Sequence, residues 1–179
     1  MTTAATDTVA HMSREEVERR AAEVLREYGL ETVPIDPVVL ADRLGIFVHN
    51  AKFSDDNLVG MIAKRGGTVT MLVNAADPPF RKRFTIAHEL GHYFLHLQED
   101  GDYVDNEVNL FRGSGDETTE VTPERRREIQ ANMFAAALLM PENAVQQEWP
   151  RVRKIQGMAR RFNVSEAVMG IRITQLGLA

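Results

Sequence analysis

The chain has 179 residues, 44% hydrophobic and 26% charged, with a formal net charge of −5 and no cysteine. This length suits one compact domain with a real core, and the balance is ordinary for a soluble globular protein. The missing cysteines exclude disulfides, a thiol nucleophile and thiolate metal sites, so any metal must be held by histidines and carboxylates, and they are compatible with the reducing cytoplasm where we expect the protein. The longest apolar run, Met133 to Met140, is far too short to span a bilayer.

Charge is spread unevenly. From Pro150 onward six Lys/Arg face one acid, while between Glu99 and Val121 eight acids face only Arg112. The acidic stretch repels a nucleic-acid backbone and the basic tail attracts one, so the balance predicts neither outcome. Met1 to Met12 lacks the basic and apolar regions of a signal peptide and is expected to be a disordered tail.

Ser13-Arg-Glu-Glu16 is a capping box, followed by Val17, Ala21, Val24, Leu25 and Tyr28 at helical spacing and by Gly29 as a stop. Asp36-Pro37 then opens a short helix through Val38, Val39, Leu40 and Leu44, closed by Gly45. Three β-rich segments come next: Ile46 to Asn50, Val59 to Lys64 and Thr68 to Asn74, the last two joined by Arg65-Gly66-Gly67 as a tight hairpin. They predict a small antiparallel sheet, with His49 as a surface or core histidine.

Asp77-Pro78-Pro79 is expected to start the next helix, with Asp77 as its cap. Phe80, Phe84, Ala87, Leu90, Phe94 and Leu97 make that helix apolar around most of its circumference, so it must be central. It carries His88-Glu89-Leu90-Gly91-His92, an H-E-x-x-H motif: positions i and i+4 share a face, so both imidazoles can reach one Zn2+ with Glu89 beside them. Chance produces the pattern in roughly one such sequence in a hundred, so the surrounding chain has to decide. Burial favours the metal, because uncompensated His and Glu inside a core cost several kcal/mol.

Residues 98 to 121 are acidic and contain Gly113-Ser-Gly115, which predicts an irregular excursion with a strand at Val108 to Phe111. Thr122-Pro123-Glu124 begins another helix, apolar from Ile129 and ending at Pro141. The tail reads as helix, short turn, helix: Ile155 to Phe162, Asn163-Val164-Ser165, then Glu166 to Leu176. Packing on the domain is the preferred reading over a free-standing DNA reader.

A catalytic zinc site typically has three protein ligands and one open position. His96 lies one turn beyond His92, but positions i, i+4 and i+8 climb a straight helix, so it is assigned to the surroundings of the ligands or to the substrate rim. Glu128 is the better third ligand. It stands where its helix becomes apolar, beside Ala131 and Ala135, small residues that allow a close approach to the motif helix near Gly91. Asn132, one turn later, is placed to orient His88 or His92 through the nitrogen not bound to metal. With His88, His92 and Glu128 on the metal, Glu89 acts as general base on the attacking water and returns the proton to the leaving amine. Tyr93, Tyr103 and His96 are candidate donors to the oxyanion.

Arg83-Phe-Thr-Ile-Ala-His-Glu-Leu-Gly-His-Tyr-Phe-Leu-His96, followed by Glu128-Ile-Gln-Ala-Asn-Met-Phe-Ala-Ala-Ala-Leu-Leu-Met-Pro141, closely resembles the ImmA/IrrE family of zinc metallopeptidases. The likeness extends from Pro34-Ile-Asp-Pro-Val-Val to Met158-Ala-Arg-Arg-Phe-Asn-Val-Ser165 and Arg172-Ile-Thr-Gln-Leu-Gly177. It implies a zincin-like α+β fold in which residues 13–149 form the metallopeptidase domain and residues 150–179 a helix-turn-helix-like pair packed on it. It also implies His88, His92 and Glu128 as Zn2+ ligands and Glu89 as base, with Mn2+ as an alternative metal for the same donors. The implied substrate is a helix-turn-helix repressor, cleaved to relieve repression in a mobile-element, stress-response or toxin-antitoxin setting. Larger members carry a C-terminal sensor domain; this chain, ending at Ala179, is expected to be the compact form. The rival reading is a repressor- or DNA-binding module with a structural or inactive zinc site, using the basic tail.

Overall fold

A computed structural model of the chain describes residues 12–54, 58–97, 101–105 and 122–178, with 101–105 described by backbone alone. Helix α1 (Arg14–Glu27) begins at the expected capping box: the Ser13 hydroxyl accepts the Glu16 N–H at 3.2 Å, and the Glu16 carboxylate accepts the Ser13 N–H at 2.7 Å. Met12, just before it, is half-buried against the core. In α2 (Pro37–Arg43) the Asp36 carboxylate caps the Val38 N–H at 3.0 Å.

Four strands follow the order β1-β3-β2-β4, with β1 at Phe47–Ala51, β2 at Gly60–Arg65, β3 at Thr68–Asn74 and β4 at Gly101–Asp105. The β2–β3 hairpin turns through Gly66 and Gly67, whose φ angles of 54° and 82° are costly for any residue with a Cβ. The purely antiparallel sheet expected from sequence is corrected here. Strand β2 is antiparallel to β3 and β4, but β1 runs parallel to β3, pairing Phe47 with Thr70 and Ala51 with Asn74. The end of β1 and the start of β2 meet the same end of β3. Strands β1 and β2 therefore flank β3, about 10 Å apart. Local sequence pattern carries no record of that choice of neighbour.

Ile62, Met71 and Val73 form the sheet's buried face, against which α3 (Pro79–Leu95) packs. Asp77 does not cap α3, contrary to expectation. The N-cap is Pro78, extended at φ −65° and ψ 155°, and Asp77 instead pairs with Arg81 at 3.6 Å. Two consecutive prolines cause this: each pushes the residue before it out of the helical region, so the start slips one position past the aspartate.

Helix α4 (Pro123–Leu139) starts at Thr122, whose hydroxyl accepts the Arg125 N–H at 3.2 Å. It lies between α3 and α1. A further helix, α5 (Glu142–Val152), was not foreseen; its Pro150 sits in the last turn, two residues before the helix ends at a left-handed Arg153. The C-terminal pair, α6 (Ile155–Phe162) and α7 (Glu166–Gln175), has the expected turn, with Asn163 left-handed and Ser165 capping Val168. Met158, Phe162, Met169 and Ile173 belong to the same buried cluster as the residues of α1 to α4. The strand expected at Val108 to Phe111 lies outside the described residues, as do residues 1–11.

Candidate metal centre

Helices α3 and α4 pack along one another and come closest where Gly91 meets Ala131. A Cβ built on Gly91 would lie 2.9 Å from the Ala131 Cα, closer than side chains tolerate. This contact brings Glu128, one turn before Ala131 and Asn132, level with the histidines of α3.

His88 and His92 are buried on α3, with their Nε2 atoms 3.0 Å apart. The Glu128 carboxylate reaches both, with Oε2 at 3.2 Å from His88 Nε2 and Oε1 at 3.2 Å from His92 Nε2. Among the described residues these three form a cluster whose ligand atoms all lie within 4.8 Å of one another. Asn132 Oδ1 lies 3.0 Å from His88 Nδ1. Accepting the Nδ1 proton of a metal-bound ring would fix its tautomer and leave Nε2 for the metal.

Burial alone raises the pKa of Glu128, but its hydrogen bonds with His88 and His92 outweigh this and hold its carboxyl below the usual carboxylate range. Burial, aided by repulsion from His88, lowers the pKa of His92 despite the Glu128 carboxylate. The site therefore favours an anionic carboxylate beside neutral imidazole. The two imidazole nitrogens and the carboxylate converge on one point in a low-dielectric pocket, where a divalent cation could take the place of the protons they share. The residues thus fit a metal ion chemically as well as geometrically.

Glu89 is fully buried on the same helix. Strand β2 comes against it at Gly60, where a Cβ would lie 2.6 Å from Glu89 Oε1 and 2.6 Å from Thr85 Cγ2. Gly60 escaped the sequence reading; the signal was a lone glycine opening a strand whose next residues, Met61, Ile62 and Ala63, are apolar, the mark of a close backbone approach.

The remaining expected residues lie around this centre in different ways. The His96 ring is 5.6 Å from the His92 ring, and a hydrogen bond ties it to the backbone of Arg127, the residue before Glu128. Burial, then the neighbouring His92, lowers its pKa to about 4. Tyr93 packs edge-on against Phe94 at 5.1 Å and lies beside Tyr28 of α1's C-cap, so it is not gathered with the three donors. The side chain of Tyr103 lies outside the described residues. His49 is exposed on β1 beside Phe47, away from the cluster.

A mixed α+β domain whose buried H-E-x-x-H helix faces a carboxylate on a second helix is that of a zincin-like metallopeptidase. Residues 41–174 match the family model described as the IrrE N-terminal-like domain. The chain belongs to that family, the ImmA/IrrE family of metallopeptidases. It is 23% identical over 163 residues to metallopeptidase ImmA of Bacillus subtilis, covering 90% of this chain and 86% of ImmA. It is 33% identical over 99 residues to the radiation response metalloprotease IrrE of Deinococcus radiodurans, covering 53% of this chain and 27% of IrrE. A solved structure titled as a Mycobacterium tuberculosis transcriptional regulator shares the fold, with a TM-score of 0.58 at 21% identity over 88% of this chain and 46% of that one. No helix among the described residues is long and apolar enough to cross a membrane.

Proposed function

We propose that this metallopeptidase is a zinc-dependent endopeptidase with His88, His92 and Glu128 as the metal ligands and Glu89 as the general base. The observation that carries this reading is the convergence of two imidazole nitrogens and a carboxylate within 4.8 Å, with Glu89 buried beside them. His88, His92 and Glu128 would hold the zinc ion, which would supply a Lewis acid at the scissile carbonyl and a lowered pKa for the attacking water. Glu89 takes a proton from the attacking water and delivers it to the leaving amine, so one carboxylate serves as base and then acid. Asn132 holds His88 in the tautomer that ligation requires. His96, bonded to the backbone just before Glu128, steadies the helix that presents the third ligand.

The substrate we propose is a helix-turn-helix repressor, cleaved in the cytoplasm to relieve repression in a mobile-element, stress-response or toxin-antitoxin setting. Support comes from the likeness to ImmA and to IrrE, the latter named for a radiation response. The rival DNA-binding reading has less to work with in α7, because Arg172 is buried in an ion pair with Glu18. Incubating zinc-loaded protein with purified helix-turn-helix repressors from the same genome should give cleavage of one of them at one bond, located by mass spectrometry. Repressors that all stay intact would remove the substrate reading and leave the peptidase. Metal analysis of the purified protein distinguishes zinc from manganese, which the same donor set accepts.

A further inference from the structure

We infer that Gly60 is a positioning residue for hydrolysis: its bare Cα forms the wall that fixes the Glu89 carboxylate, and any side chain there would displace the base. The inference rests on Glu89 being that base. Gly60 is not among the glycines with positive φ, so its backbone conformation is open to other residues and space alone explains the glycine.

The wall cannot retreat. Strand β2 is an inner strand, and Gly60 is paired with Val73 of β3 on one side and Asp105 of β4 on the other. Nor can α3 move away, since its far side meets α4 at the Gly91–Ala131 contact. A methyl on Gly60 would meet two atoms at 2.6 Å, Glu89 Oε1 and Thr85 Cγ2. Thr85 is β-branched and 1% exposed, so it is stiff and confined. The Glu89 carboxylate is the end of a flexible side chain and yields first. Glycine at 60 and glycine at 91 thus bracket the motif helix, one setting the base against the sheet and the other setting the ligands against α4.

The test separates loss of alignment from loss of fold. Replacing Thr85 by Ser removes the methyl that Gly60→Ala would strike, so the double variant Gly60→Ala/Thr85→Ser retains only the clash with Glu89. It should bind zinc with the stoichiometry of Thr85→Ser and melt with it. Its kcat on a single internally quenched peptide that the wild-type protein cleaves should fall by about 100-fold with KM little changed, the cost of moving a catalytic group by about 1 Å. A crystal structure of the double variant should show the Glu89 carboxylate displaced, a readout that does not depend on which peptides are cut. Undisplaced Glu89, or undiminished kcat in a variant series where Glu89→Gln is inactive, overturns the inference. Full turnover by Glu89→Gln would instead remove the base assignment on which it stands.

Discussion

Arg172 on α7 and the histidines of α3 are all buried polar side chains, yet their partners differ in kind. The Arg172 guanidinium, 1% exposed, donates from Nη2 to Glu18 Oε2 at 2.8 Å, pairs with that carboxylate again through Nη1, and donates from Nε to the Met140 carbonyl at 3.0 Å. Donor meets acceptor and charge meets countercharge, so this cation ties α7 to α1 and to the end of α4 and needs no outside partner. On α3 the Nε2 atoms of His88 and His92 and the carboxylate of Glu128 crowd one point. Three metal-ligating groups converging on one point suit a bound ion, whereas a guanidinium whose donors each meet a protein acceptor serves the fold.

Variants that separate the two regions sharpen this contrast. The largest effect is expected from Glu89→Gln, which keeps the shape of the side chain and removes its basicity. Turnover should fall by about 10³-fold, within the range of general base catalysis, while zinc content and Tm stay at wild-type values. Retained turnover would break the assignment of the site to hydrolysis. Glu18→Ala should act on the other region alone. Leaving the Arg172 charge buried without its partner costs about 3 kcal/mol, a fall in Tm of roughly 6–12 °C by scanning calorimetry, with zinc affinity unchanged. Loss of zinc in this variant would show that the C-terminal pair is part of the site. Asn132→Ala gives the smallest effect: a zinc affinity weaker by roughly 10- to 100-fold in a chelator competition, as expected when the partner orienting a ligating histidine is removed.

The parts legible in the sequence were those encoded locally. Caps at Ser13, Asp36, Thr122 and Ser165 are written within three residues of the groups they satisfy. The H-E-x-x-H spacing needs only a helix. The approach of Glu128 and Asn132 to His88 and His92 was readable because Ala131 and Gly91 are small, and small residues imply close helices. What escaped depends on distant chain. The parallel pairing of β1 is a choice of neighbour, and the Arg172 partner lies 154 positions away at Glu18. Helix α5 (Glu142–Val152) carries Pro150 near its C-terminal end and only Val145 fully buried, so it lacks a strong apolar period. Gly60 matters only once β2 lies against α3.

The account depends most on one ion bridging two helices. X-ray data collected on either side of the zinc absorption edge, from crystals of the zinc-loaded protein, test it directly. The expected result is one anomalous peak at bonding distance from His88 Nε2, His92 Nε2 and a Glu128 carboxylate oxygen, about 2.0–2.2 Å from each. A peak bound elsewhere, or none among these three side chains in protein shown to contain zinc, would contradict it.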